Sequence, residues 1–259
     1  MTNVSVNGAT LRVRCDGDRS RPTVVLSNSL GTDLSMWDAQ AALLATRFHV
    51  LRYDTRGHGG SSAPRGPYTI AQLGADVLAL LDHFDIERAH VVGLSMGGVT
   101  AQWLGAHAPG RIRKLVLANT ASKIGERDAW LARAASVRAE GMNGIAAGSP
   151  ARWFTPDFLA RQAVVVGAMQ KTVRGLDPEG YAACCEALAM ADMTSDLHRI
   201  AAPTLVIAGA DDPVTTVADA QALAGGVKGA ALATLPASHL SNVEAPDRFS
   251  DAVASFLLA

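Results

Sequence analysis

Two kinds of hydrophobic pattern take turns along the chain. Short runs rich in β-branched residues recur at "VSV", "LRVRC", "TVVLS" (Thr23–Ser27), "FHVLRYD", "AHVVG" (Ala89–Gly93), "IRKLVLAN" (Ile112–Asn119), "APTLVIAG" and "AALATLP". Each run predicts a strand. The first two flank Asn7-Gly8, a two-residue hairpin turn. Other segments place apolar residues three and four apart, which predicts helices. One covers Ser35–Thr46 with Ser35 as its cap, and another covers Thr69–Phe84 with Thr69 as its cap. "MGGVTAQWLGAHAP" is a third, stopped near Pro109-Gly110. Two more lie near "VADAQALA" and over the terminal "APDRFSDAVASFLLA".

Strands that alternate with helices predict an α/β fold, a mostly parallel eight-stranded sheet with helices on both faces. The alternation breaks between Ala121 and Asp196, where "ERDAWLARAASVRAE", "PDFLARQAVVVGAMQKTV" and "PEGYAACCEALAMADM" all read as helix. Gly, Pro and Ser punctuate them in "GMNGIAAGSPARW" and "RGLDPEG". The expected organisation is an α/β core over residues 1–120 and 197–259, with a helical cap over 121–196. An insertion of that kind covers the carboxyl ends of the strands, where open α/β sheets bind ligands.

Composition narrows the partners. The 259 residues are 49% hydrophobic, enough for a sizeable core, and 23 basic against 24 acidic residues leave a net charge of −1. No basic stripe points to nucleic acid, so a small molecule or another protein is the expected partner. The opening "MTNVSVNG" lacks the basic and apolar regions of a signal peptide, and no apolar stretch is long enough to cross a membrane. Cys15, Cys184 and Cys185 are an odd count with an adjacent pair, expected as free thiols in a cytoplasmic protein. The pattern does not indicate an oligomeric state.

The chemistry concentrates in "VVGLSMGG". Gly93-Leu94-Ser95-Met96-Gly97 is a G-x-S-x-G pattern set between a buried strand and a helix. Such a turn lifts Ser95 to the top of the sheet, above the unpaired N–H groups of a helix start. A serine hydroxyl needs a base. His239 lies in "LPASHLSNVEAP", between the last strand and the last helix, where it can hang over Ser95. The acid is expected in "LVIAGADDPVT". Asp212 is favoured by its G-x-x-D spacing from Gly209, with Asp211 as the alternative. His49, His83, His90, His107 and His198 read as structural or solvated. There is no metal-ligand spacing and no dinucleotide-binding glycine pattern, so no cofactor or metal is called for.

These residues resemble the α/β-hydrolase fold over essentially the whole chain. "YDTRGHGGSS" is similar to that family's D-x-R-G-x-G-x-S loop, with Asp54, Arg56, Gly57, Gly59 and Ser61 in place. It reads as structural, an Asp/Arg pair and glycines holding a turn, and His58 within it comes too early to be the base. "LSNSLGTDLSMWDAQ", "LVLANTASKIG" and "ASHLSNVEAP" further resemble the 3-oxoadipate enol-lactonases, bacterial hydrolases of aromatic catabolism. Many other relatives carry His-Gly where this chain has Asn28-Ser29.

The resemblance implies hydrolysis of a small anionic enol-lactone to 3-oxoadipate by Ser95, Asp212 and His239. It also implies an oxyanion hole made by the backbone N–H groups of Leu30 and Met96. The substrate carboxylate needs a cation. The cap offers Lys123, Arg127, Arg133, Arg138 and Arg152. Arg133 is the choice, with Trp130 three residues earlier on the same helix face; Ser29 and Trp153 complete the expected substrate contacts. A serine esterase or cofactor-free perhydrolase, and a non-catalytic receptor on the same scaffold, are the other readings.

Overall fold

The computed structural model describes all 259 residues. Eight strands form one sheet: β1 (Thr2–Val6), β2 (Ala9–Asp16), β3 (Thr23–Ser27), β4 (His49–Tyr53), β5 (Ala89–Leu94), β6 (Ile112–Ala118), β7 (Thr204–Gly209) and β8 (Ala231–Leu235). Their order across the sheet is β1-β2-β4-β3-β5-β6-β7-β8. β1 and β2 are antiparallel, as are β2 and β4; every pairing from β4 to β8 is parallel. The hairpin turns at Asn7 and Gly8, both at positive φ (45° and 75°). That is the geometry a twisted two-residue turn demands.

Sequence pattern tracks position in the sheet. β3, β4 and β5 are buried along their whole length, because helices cover both faces. β8 stands at the edge, and only Leu235 of it is buried. Outside the β6–β7 connection the helices are α1 (Asp38–Leu44), α2 (Ile70–His83), α3 (Met96–His107), and, past β7, Val217–Gly226, Ser241–Glu244 and Pro246–Leu258. Thr69 caps α2 by accepting the Gln72 N–H. Ser35 does not cap the first helix. Asp33 caps a separate turn, Leu34–Trp37, by accepting the Ser35 N–H, and α1 starts only at Asp38. A carboxylate two residues before the expected cap outcompetes a hydroxyl inside the turn.

Between β6 and β7 run α4 (Arg127–Glu140), α5 (Asn143–Gly148), α6 (Pro150–Trp153), α7 (Pro156–Arg161), α8 (Ala163–Arg174) and α9 (Pro178–Ala189). Two details depart from expectation. "GMNGIAAGSPARW" forms two short helices, α5 and α6, instead of a plain connection. "PDFLARQAVVVGAMQKTV" breaks at Gln162 into α7 and α8. These helices pack on the loops at the carboxyl ends of the strands. The Tyr68 N–H donates to the Ala183 carbonyl, and the Leu240 N–H donates to the Trp153 carbonyl. No helix is long and apolar enough to cross a membrane.

Candidate active site

The turn between β5 and α3 carries Ser95 at φ 56°, ψ −116°, a strained conformation for a residue other than glycine. Two glycines make it possible. A side chain at Gly93 would run into the Gly97 carbonyl, and one at Gly97 into the Ser27 carbonyl. The turn is tied down by the Ser95 N–H donating to the Ala118 carbonyl at 3.0 Å and the Thr120 hydroxyl donating to the Ser95 carbonyl at 2.9 Å.

His239 follows β8 and is buried. Its Nδ1 lies 2.9 Å from Asp212 Oδ2 and 3.1 Å from Oδ1. The choice between adjacent aspartates is resolved by direction: Asp212 turns inward and Asp211 stays exposed. Asp212 also accepts hydrogen bonds from Asn119 Nδ2 (3.0 Å), the Thr215 hydroxyl (2.8 Å) and the backbone N–H groups of Val214 (2.8 Å) and Thr215 (3.0 Å). Burial pushes the Asp212 carboxyl up. The contacts with His239, Asn119 and Thr215 outweigh that and hold it below the ordinary value. A carboxylate so held orients the imidazole with its proton on Nδ1, leaving a free lone pair on Nε2. Ser95 and His239 line one cavity without a hydrogen bond between them, a looseness common where no substrate is bound.

The loop after β3 forms the facing wall. Asn28 anchors it: its amide donates to the Tyr53 carbonyl at 2.9 Å and accepts from Trp37 Nε1 at 2.9 Å, while its own carbonyl takes the Gly97 N–H at 3.0 Å. The Leu30 N–H makes no hydrogen bond inside the protein. Met96 opens α3, so its N–H has no partner within the helix. The loop and the helix start therefore present backbone donors beside Ser95.

The cavity holds about 260 Å³. Ser29, Leu30, Ser95, Trp130, Arg133, Trp153 and His239 all line it, together with Arg152, Tyr181 and Glu126. The Arg133 guanidinium sits 4.7 Å over the Trp130 ring. Burial, and then the nearby Arg133 charge, lower the pKa of Arg152 against the pull of Tyr181. The other cations between β6 and β7 do not line the cavity. Arg138 pairs with Glu179 and Glu186, Lys123 pairs with Glu126, and Arg127 is exposed.

The D-x-R-G loop is structural, but not through its own Asp/Arg pair. Asp54 instead accepts from Arg12 Nε at 2.5 Å and from the Leu34 and Gly60 N–H groups at 2.7 Å. Arg56 forms a buried bidentate pair with Asp76 at 2.6 Å. Two residues apart on one loop, Asp54 and Arg56 leave the backbone in different directions, so each finds a distant partner. Sequence reasoning passed over Asn119, Thr215 and Tyr181, and offered Arg152 only as one of five cap cations. Asn119 left a trace, as a polar residue ending the apolar run of β6. Thr215 and Tyr181 are identified by contacts formed across the fold.

Comparison with known proteins agrees with this architecture. The family model for the alpha/beta hydrolase fold matches residues 22–246. The 3-oxoadipate enol-lactonase 2 of Acinetobacter baylyi is 51% identical over 251 residues, 97% of this chain and 92% of its own. The 3-oxoadipate enol-lactonase 1 of the same organism is 42% identical, over 96% of this chain and 94% of its own. The crystal structure of the enol-lactonase from Burkholderia xenovorans LB400 superposes with a TM-score of 0.98 at 47% identity, covering 100% of both chains. A nucleophile turn, an imidazole held by a carboxylate and a family match over most of the length lead to one conclusion: this chain belongs to the alpha/beta hydrolase fold family.

Proposed function

We propose that this protein hydrolyses 3-oxoadipate enol-lactone to 3-oxoadipate through an acyl-enzyme on Ser95. One observation carries the reading: Ser95 and His239 share a single small cavity with two guanidinium groups, Arg133 and Arg152. Those groups suit a substrate with a reactive carbonyl at one end and a carboxylate at the other. The enol-lactonases it is similar to support the same substrate.

In this reading His239 Nε2 takes the proton of Ser95 as Oγ attacks the lactone carbonyl. The developing oxyanion is met by the N–H groups of Leu30 and Met96. Collapse breaks the ring C–O bond. The enolate leaves and takes up, at carbon, the proton that His239 had gained from Ser95, directly or through solvent, which gives the ketone and returns His239 to its neutral form. Water, deprotonated by His239, then cleaves the acyl-enzyme and frees the new carboxylate. Asp212 keeps the imidazole in the correct tautomer and stabilises its charged form. The residues from 121 to 196 act as a cap that supplies Arg133 and Arg152, with Trp130, Trp153 and Ser29 against the body of the substrate. The free thiols of Cys15, Cys184 and Cys185 support a reducing, cytoplasmic setting.

The test is turnover of the purified lactone, followed as loss of its conjugated absorbance. The native protein should consume it and Ser95→Ala should not. Arg133→Ala should raise KM for the lactone by about 10-fold or more, the weight of a charged hydrogen bond, and leave KM for a neutral aryl ester nearly unchanged. No lactone turnover by the native protein overturns the function. Equal KM effects on both substrates remove Arg133 from carboxylate binding.

A further inference from the structure

His58 lies in "RGHG", within the D-x-R-G loop, and the reaction above does not use it. It is 1% exposed. Its Nε2 accepts a hydrogen bond from the Gly31 N–H at 2.9 Å. An N–H donor needs a lone pair on that nitrogen, so the ring is neutral and carries its proton on Nδ1, which faces the Arg56 carbonyl at 3.4 Å. The Tyr181 ring lies 6.2 Å away, centroid to centroid, and Cys184 Sγ is 3.9 Å from Nδ1. Burial drives the His58 pKa down to about 4, against the pull of the Arg56 carbonyl and Asp33. At neutral pH the ring is therefore an acceptor.

Gly31 directly follows Leu30 and sits at φ 86°, a region open to glycine and unconstrained by a side chain. The Leu30 N–H lies in the peptide plane that Leu30 shares with Ser29, and the plane on the other side of its Cα limits how far that plane can turn. The plane before Leu30 is held through the Ser29 carbonyl, which accepts the Thr32 hydroxyl at 2.8 Å and the Thr32 N–H at 3.3 Å. In a trans peptide the N–H points opposite that carbonyl. The plane after Leu30 carries the Gly31 N–H, and His58 is its partner. Catalysis by fixed dipoles requires donors that do not reorganise during reaction.

We propose that His58 is a positioning residue for the oxyanion hole: by accepting the Gly31 N–H it holds the Leu30 N–H towards the reacting carbonyl. The proposal rests on the reading of Leu30 as an oxyanion donor. It explains why an imidazole is kept neutral and buried between the cap helix α9 and the loop after β3. It also assigns a task to a loop otherwise read as scaffolding.

The test compares His58→Leu, which removes the acceptor, with His58→Gln, whose Oε1 stands near the position of Nε2. Leu30→Pro is measured alongside, and 4-nitrophenyl acetate is assayed beside the enol-lactone. His58→Leu should lower kcat about 10-fold or more, a fraction of the loss from deleting a donor, with KM within about twofold. His58→Gln should recover most of kcat. Native kcat in His58→Leu, or equal losses in both variants, overturns the proposal. A kcat unaffected by Leu30→Pro instead overturns the reading of the hole. The native protein gives an independent check: ¹⁵N NMR should show His58 Nε2 unprotonated at neutral pH, and a proton on Nε2 overturns the proposal.

Discussion

The residue-scale division of labour turns on hydrogen-bond direction. Asp212 and Asp211 are adjacent and chemically identical, yet only Asp212 meets His239. Asp212→Asn should lower kcat by about 10⁴-fold, because an amide favours the wrong imidazole tautomer. Asp211→Asn should stay close to the native rate, and steady-state kinetics on both variants decide the matter. Leu30→Pro deletes a backbone donor without altering the nucleophile or base. It should lower kcat by about 10²-fold or more in a variant whose melting temperature is retained. Near-native kcat would remove Leu30 from the oxyanion hole. The serine, the histidine and the pair of aspartates were legible in the sequence, because motif and chain order constrain them. Arg152 was legible only as one of five candidate cations, and Thr215 and Asn119 were not singled out, because a lone Thr or Asn carries no periodic signal.

Among elements, α9 and the D-x-R-G loop meet at close range. Gly57 and Gly180 meet backbone to backbone: a Cβ on Gly57 would lie 2.5 Å from Gly180 Cα. Gly57 is also at φ 77°. Gly57→Ala should therefore destabilise the protein by about 1–3 kcal/mol, combining left-handed strain with overpacking. Chemical denaturation measures this, and native stability would show that the contact yields freely. The central strands β3, β5 and β7 were legible as elements because their apolar runs are continuous and rich in β-branched residues. The short helices α5 and α6 were not, because their Gly, Pro and Ser residues have weak helix propensity and the surrounding packing overrides it.

For the molecule as a whole, buried histidines set the response to acid. Burial lowers the pKa of His58 and of His90 from 6.5 to about 4, and that of His49 below 6.5. The unfolded chain takes up these protons near pH 6.5; in the folded protein His58 and His90 refuse theirs until about pH 4, and His49 takes up its own only below pH 6.5. Stability is thus fully present above pH 6.5 and is lost as pH falls from 6.5 to 4. His58 alone accounts for roughly 3 kcal/mol of that loss. The melting temperature should fall steadily across this window at constant ionic strength. A flat profile would mean that water reaches these rings in the folded state.

The sequence by itself determined the α/β alternation, the interruption between β6 and β7, the tight glycine-flanked turn at Ser95 and the chain order of the candidate serine, aspartate and histidine. Those features are local: periodicity, glycine spacing and position in the chain carry them. The tertiary structure decided which aspartate turns inward, which arginines line the cavity, and that Asp54 and Arg56 pair with Arg12 and Asp76. It also brought the His58 imidazole to the Gly31 N–H, 27 residues away in sequence. Such choices depend on where separate elements meet and on which polar groups burial forces together. No single stretch of chain encodes that.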